Sequence, residues 1–434
     1  MAATAERVIV QIDKVVPGGA GLGFHEGSAL FVPFTAPGDR IVAEVTKRHS
    51  NCLFGRCVEI LAAGAERTEP ACERYTVCGG CQLRHLTPAC QQRIKGEFVR
   101  ETLGRFPNLR DGEVLPAWGV EGWEDGYRCR ASFKVRWVGS RLLVGFFQAA
   151  SHHIADLPDH CPVLDRRLSA LIAPLRALIT SLAVCQQLPQ VDAVVGEEGV
   201  GLIFHLLVSP GQPDRERLQQ FARQQGIAQL WLQRGRKSGL QAVVNGAELF
   251  YRLESQRLSF HPGDFIQAHR EGNRLLVQEA LRQGGAGEVA WDLFCGIGNF
   301  TLPLAQRFAR VVGVEGYAPA LQRGEANARE AQLSGVCFRA LDLFQERQIA
   351  RLAAEPAADL VLLDPPREGA LAVVKWLIGT SIKRLVYVSC NPATFARDAS
   401  LLVRSGFRLE RLQPIDLFPQ TFHLELVALF VRPG

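Results

Sequence analysis

Short β-rich runs of apolar residues stand at residues 8–12, 29–32, 40–45 and 57–61. Gly and Pro separate the runs, including Pro17-Gly18-Gly19, so residues 8–61 read as a small all-β, OB-like barrel. Thr87-Pro88 then supplies an N-cap and a first helical position for a helix reaching about residue 103. Between about residues 127 and 260, strands at 127–137 and 201–208 mix with amphipathic helices near 164–182 and 215–225, an α+β pattern. From about residue 270 the order becomes regular. Strands at 289–294, 311–315, 336–341, 360–364 and 384–389 alternate with helices, and two closing strands follow near 407–416 and 423–431. This alternation predicts a doubly wound, Rossmann-like parallel sheet with ligands at the carboxyl ends of its strands. The expected architecture is multidomain: a barrel over 1–64, an α+β central domain over 65–262 that carries a cysteine cluster, and an α/β domain over 263–434. The 87–104 helix is free to pack on the last of these. No internal repeat or long linker interrupts the chain, so the domains should pack closely.

Composition refines this picture only modestly. With 434 residues, 47% of them hydrophobic, the chain can fill about three cores of ordinary size. A formal net charge of +5 tilts it mildly towards an anionic partner. Arginine outnumbers lysine, which suits bidentate phosphate contacts, although a genomic bias would give the same ratio. Small barrels often carry oligonucleotides on one face, so RNA binding and a purely structural role both fit the N-terminal segment. No leader-like run and no apolar stretch of about 20 residues is present. The expectation is a cytoplasmic monomer with no membrane partner.

Twelve cysteines in a chain of this length argue against a disulfide framework. Cys72, Cys78 and Cys81 form C-x5-C-x2-C, and Cys161 lies about ninety residues on. Three close thiolates plus a distant fourth suit either a tetrahedral zinc or a cubane iron–sulfur cluster, and spacing alone leaves both open. Cys52, Cys57, Cys90, Cys129, Cys185, Cys295 and Cys337 are assigned to packing.

Two constellations carry chemistry. Asp292-Leu293-Phe294-Cys295-Gly296-Ile297-Gly298-Asn299 follows the first strand of the regular region and opens a helix, where glycines let a ligand approach the backbone. Glu315 ends the next strand, placed to accept hydrogen bonds from ribose hydroxyls, and Asp342 follows the third, in range of an adenine edge. No basic residue in the glycine loop meets a pyrophosphate, so an adenosyl ligand without phosphates, S-adenosylmethionine, fits better than a dinucleotide. In the second constellation, Tyr387-Val388-Ser389-Cys390-Asn391-Pro392, a cysteine sits at a strand end beside a helix N-terminus, which is expected to lower its pKa. Uracil C5 is a poor nucleophile until something adds to C6, and a thiolate at Cys390 would provide that addition. A carboxylate must then remove the C5 proton, and Glu425, inside the apolar run 424–430, is the best candidate. Asp364-Pro365-Pro366-Arg367 ends the fourth strand, and Asp364 is placed to hold cofactor or base.

These motifs, together with Asp416-Leu417-Phe418-Pro419-Gln420-Thr421-Phe422-His423-Leu424-Glu425, resemble the bacterial RNA 5-methyluridine methyltransferase family in content and order. The resemblance covers nearly the whole chain. It implies Cys390 as nucleophile and Glu425 as base, with Gln267, Phe294, Asn299, Glu315, Asp342 and Asp364 as cofactor contacts. It also implies a TRAM-type barrel and a [4Fe-4S] cluster on Cys72, Cys78, Cys81 and Cys161. Barrel plus cluster look like the branch acting on 23S ribosomal RNA, because the tRNA branch is expected to lack both. His269 stands where the family's Phe-x-Gln-x-Asn motif has asparagine. The competing readings are a tRNA methyltransferase with the same chemistry, a non-catalytic RNA-binding assembly factor, and a small-molecule methyltransferase.

Overall fold

The structure is a computed structural model that describes residues 6–110, 112–119, 122–235 and 238–433. The N-terminal barrel has five strands: β1 (Arg7–Val15), β2 (Ala20–His25), β3 (Ser28–Pro33), β4 (Arg40–Arg48) and β5 (Cys52–Ala62), closed in the order β1-β2-β3-β5-β4. The run Ala20-Gly21-Leu22-Gly23-Phe24-His25 carries no strong strand signal, yet it forms β2. Its glycines explain both facts. A Cβ on Gly21 would lie 2.0 Å from the Thr35 hydroxyl, and one on Gly23 would lie 2.3 Å from the Gln11 carbonyl. Tight closure requires glycine there, and glycine has little strand propensity of its own.

The helix Pro88–Gly104 starts at the Thr87 cap, whose hydroxyl accepts the Cys90 N–H at 3.3 Å. Its buried face carries Cys90, Gln91, Ile94, Lys95, Phe98, Val99 and Leu103, and Val99 and Leu103 join the core of the C-terminal sheet. The chain after it runs beside the last sheet, forming parallel bridges from Val114 to Leu412 and from Trp118 to Ile415. An otherwise open sheet edge is thereby covered.

The central sheet has seven strands: β6 (Arg130–Val138), β7 (Arg141–Phe147), β8 (Ile154–Asp156), β9 (Gln190–Gly196), β10 (Gly199–Leu206), β11 (Ile227–Arg234) and β12 (Leu240–Asn245). Their order is β12-β11-β10-β9-β6-β7-β8. The helical run expected near 164–182 is divided into Arg166–Ser169 and Ile172–Ser181. Pro174 has no N–H to give the Ala170 carbonyl, which ends the first turn there. A hairpin of β13 (Leu249–Leu253) and β14 (Gln256–Phe260) leads into the last region.

That region is built on β15 (Gly287–Leu293), β16 (Phe308–Glu315), β17 (Val336–Ala340), β18 (Leu360–Leu363), β19 (Arg384–Ser389), β20 (Arg408–Ile415) and β21 (Glu425–Val431), in the order β17-β16-β15-β18-β19-β21-β20. The expected parallel sheet is in fact mixed. β21 inserts antiparallel between β19 and β20, because the short β20–β21 connection cannot make a parallel crossover. Strand order reverses between β15 and β18, and a ligand crevice is expected at that switch point. Among the described residues no helix is long and apolar enough to cross a membrane.

Replacing Gly23 with valine should destabilise the barrel by about 1–3 kcal/mol through overpacking. Hydrogen exchange of the β1–β4 amides would report it as lost protection confined to the barrel, and unchanged protection there would refute the close-approach argument.

Candidate active site

At the switch point lies a cavity of about 510 Å³. Gln267, Phe294, Glu315, Asp364, Cys390 and Glu425 all line it, together with Phe265, Tyr317, Phe344, Arg367, Phe418 and His423. The fold thus gathers six of the eight expected catalytic and cofactor residues from six separate segments.

The turn after β15 forms the floor. Phe294 adopts φ 68°, and its N–H and that of Cys295 both donate to the Val314 carbonyl, at 2.9 and 3.0 Å. Gly296 follows at φ 53° and Gly298 at φ 97°, and a Cβ on Gly298 would lie 2.5 Å from Leu302. Glu315, at the end of β16, accepts the Gly296 N–H at 3.1 Å and the Tyr317 N–H at 2.7 Å, so it orders the loop as well as facing the cavity. Two expected contacts do not line the cavity. Asn299 forms a reciprocal amide pair with Asn273 and accepts the Tyr251 hydroxyl at 2.9 Å, behind the wall. Asp342 accepts the Phe344 N–H at 3.0 Å and the Gln345 amide at 2.6 Å, capping the turn that puts the Phe344 ring into the cavity. These hydrogen bonds fix the orientation of both side chains.

Asn391 caps the helix Pro392–Arg404, accepting the Ala393 N–H at 3.1 Å, and Cys390 precedes it at the end of β19. The Asn391 amide and the Thr394 hydroxyl each donate to the Arg367 carbonyl at 3.0 Å, which ties the Asp364–Arg367 turn to this cap. The thiol does not follow the helix-terminus expectation. Burial pushes Cys390 up to about 12, and the Glu425 and Asp364 carboxylates push in the same direction. Burial also raises Glu425 well above its usual range, with Asp364 adding to the shift. Asp364 is pushed up to about 7 by burial and by Asp292 behind it. Asp292, also raised to about 7, is fully buried with one carboxyl oxygen lacking a partner. Among the described lining residues Arg367 is the one Lys or Arg, and it opposes the rise of both Cys390 and Glu425. Burial pulls His423 down to about 4, so that ring adds no positive charge near neutrality. Arg367 and Asp292 were visible as members of quoted motifs, but their roles emerge only from who faces whom.

This crowd of carboxylates suits a cationic ligand. The sulfonium and ammonium of S-adenosylmethionine fit that requirement, whereas a dinucleotide pyrophosphate would add charge of the wrong sign. His269 lies away from the cavity. It is fully buried, stacks between Trp123 and Tyr127 at 5.8 and 4.9 Å, and caps the helix Arg270–Gly284 by accepting the Gly272 N–H.

Cys72, Cys78, Cys81 and Cys161 line one small cavity elsewhere in the fold. Burial raises Cys78, and raises Cys81 to about 11 and Cys161 to about 12, with neighbouring thiolates adding to the effect. Among the described residues no group of three or more His, Cys, Asp or Glu side chains is arranged to hold a metal ion. The donor set nevertheless fits a thiolate-bound group. All four thiols line that cavity, where burial disfavours ionisation of Cys78, Cys81 and Cys161, and Arg74 and Arg84 on the same wall each bury a guanidine nitrogen with no partner.

A sequence model of the tRNA (uracil-5-)-methyltransferase family matches residues 120–432. Relatives named 23S rRNA (uracil(1939)-C(5))-methyltransferase RlmD are similar over nearly the full length. The protein of Alkalilimnicola ehrlichii is 39% identical over 95% of this chain and 94% of its own. That of Pseudomonas entomophila is 40% identical over 96% and 92%. The Pyrococcus abyssi tRNA (uracil-54, C5)-methyltransferase, solved in complex with S-adenosyl-L-homocysteine, shares the fold at TM-score 0.75 and 24% identity, over 97% of this chain and 99% of that one. A tRNA-acting enzyme therefore aligns along the whole chain, barrel included, and the barrel does not separate the two branches as expected.

A thiol held this high should alkylate slowly. The rate for the Cys390 peptide with iodoacetamide, followed by mass spectrometry, should climb about tenfold per pH unit between pH 7 and 10. A plateau below pH 8 would mean a preformed thiolate.

Proposed function

The chain belongs to the tRNA (uracil-5-)-methyltransferase family, and from that premise we propose that it methylates C5 of a uridine in 23S ribosomal RNA, with Cys390 as nucleophile and Glu425 as base. The observation that carries this reading is that Cys390 and Glu425, from different strands, face one cavity shared with the glycine loop, Glu315 and Asp364. Bound S-adenosylmethionine would supply the methyl group, and Gln267, Phe294, Asn299, Glu315, Asp342 and Asp364 would hold it.

The chemistry follows from the residues. The Cys390 thiol gives its proton to water, sulfur bonds to uracil C6, and the C5=C6 π pair becomes available at C5. That pair forms the new C5–methyl bond as the donor's S–CH3 bond breaks. Glu425 then removes the C5 proton, the C–H electrons restore C5=C6, and the Cys390 thiolate leaves. Its burial makes the Glu425 carboxylate a strong proton acceptor. Arg367, facing both groups, offsets the cost of forming negative charge at either. Phe265, 73% exposed, and Tyr317, 59% exposed, stand at the cavity mouth, where rings can stack on a uridine drawn out of its RNA.

The choice of 23S RNA rests on the relatives at 39–40% identity, which span the barrel and the cysteine segment. The family's description favours the second reading, a tRNA substrate. Residues 1–64 act, on this proposal, as a TRAM-type RNA grip. In support, a further cavity of about 290 Å³ runs from Pro17 and Gly18 of the barrel past Phe98 to Cys390. Residues 65–262 form the central RNA-binding unit, with a [4Fe-4S] cluster on Cys72, Cys78, Cys81 and Cys161, and residues 263–434 the methyltransferase domain. The cluster's part is to fold the loop that positions RNA, since Cys390, Glu425 and the cofactor pocket supply every chemical step. The protein works as a cytoplasmic monomer.

Mass spectrometry of 23S RNA fragments and tRNA transcripts incubated with S-adenosylmethionine tests the reading. One methylated uridine in the 23S fragments, abolished by Cys390→Ala, is the expected outcome. Methylation of tRNA alone would transfer the substrate to the second reading, and methylation by Cys390→Ala would remove the nucleophile. Protein purified without oxygen should carry about four irons per chain and lose them in Cys81→Ser; bound zinc in their place would refute the cluster.

A further inference from the structure

The connection between β20 and β21 carries Phe418 and His423 into the catalytic cavity and ends at Glu425, which pairs with Ile415 across the hairpin. Asp416 and Thr421 bond to its backbone from within the loop, and further bonds come from outside. The Lys95 ammonium donates to Asp416 at 2.6 Å and to the Phe418 carbonyl at 3.0 Å. The Tyr127 hydroxyl donates to the Pro419 carbonyl at 2.9 Å. The Gln82 and Leu83 N–H groups, next after Cys81, both donate to the Gln420 carbonyl, at 2.8 and 2.9 Å. Gln91 accepts the Gln420 N–H at 2.8 Å and donates back to its side chain at 3.1 Å. Three successive carbonyls are thus each held by a different segment of the N-terminal third of the chain.

Two features mark this as more than packing. Lys95 is fully buried and its partner Asp416 nearly so, and a buried ion pair stabilises no better than apolar side chains of the same shape while demanding one geometry. Gln420 adopts φ 71°, a conformation that a non-glycine residue keeps only where its surroundings enforce it. The helix Pro88–Gly104 therefore trades two apolar positions of its buried face, Gln91 and Lys95, for polar control of a loop more than 300 residues away in sequence.

We propose that Lys95 and Gln91 are positioning residues for proton abstraction: they clamp the 416–424 loop so that Glu425 meets the C5 proton of the methylated uridine. The inference rests on the reading of Glu425 as base. It predicts that proton abstraction suffers most, because Cys390 is held by a separate device, the Asn391 cap and its bonds to Arg367. With the clamp broken, sulfur still adds to C6 and methyl still transfers, but the C5 proton leaves slowly and protein stays bonded to RNA.

The test compares native protein, Glu425→Gln, Gln91→Leu and the double variant Lys95→Met with Asp416→Leu, which removes both charges and so avoids an unpaired buried ion. RNA affinity, single-turnover methyl transfer, steady-state turnover and RNA-linked protein on denaturing gels are measured with ordinary uridine RNA. In the Gln91 and double variants, affinity and methyl transfer should stay within about twofold of native while turnover falls about tenfold or more and the covalent complex accumulates. Turnover near native in both, or loss of methyl transfer in step with turnover and without the complex, would overturn the clamp. If Glu425→Gln turns over like native protein, the reading of Glu425 as base fails instead.

Discussion

Charge burial at the carboxyl ends of the last sheet is the constraint on which the rest of this protein depends. Asp364, Glu425 and Glu315 converge on one cavity with Asp292 behind them, and Arg367 alone among the described lining residues opposes them with a permanent positive charge. Burying an acid without a partner raises its pKa and keeps it protonated. Burial therefore favours the protonated forms of Cys390, Glu425, Asp364 and Asp292, and a cationic ligand would favour the charged carboxylates.

The surrounding architecture serves that cavity. The switch in strand order opens it between β15 and β18, and the antiparallel insertion of β21 brings Glu425 next to the strand that ends at Cys390. A wholly parallel sheet would have required a long crossover before β21, and the loop that precedes Glu425 would not exist. The N-terminal third then does two things at once. It lines a second cavity against Cys390 through the barrel turn, and through the helix Pro88–Gly104 it grips the loop before Glu425. Domains that look separable along the chain thus share one site, and the cysteine segment reaches it through Gln82 and Leu83.

Where sequence reading went astray, the causes are specific. β2 was illegible because its glycines answer to Thr35 and the Gln11 carbonyl across the barrel, contacts with no local signature. Cys390 sits at a helix N-terminus as read, but two carboxylates and burial outweigh the helix dipole, whose influence amounts to about 0.3–1 kcal/mol at an exposed site. His269, conspicuous as a departure from the motif, turns out to cap a helix and stack between Trp123 and Tyr127.

By itself the sequence determined the order of strands and helices in the last domain, the helix starting at Thr87, the glycine turn after β15 and the acids and thiol at strand ends. Those features are local: they follow from periodicity, capping and the conformational needs of residues adjacent in the chain. Tertiary structure alone decided that β21 runs antiparallel, that Arg367 faces Cys390 and Glu425, and that Lys95 and Gln91 hold a loop beyond residue 415. Each of these depends on which groups meet after burial, when distance in space replaces distance in sequence and a charge is set by the neighbours it is buried with.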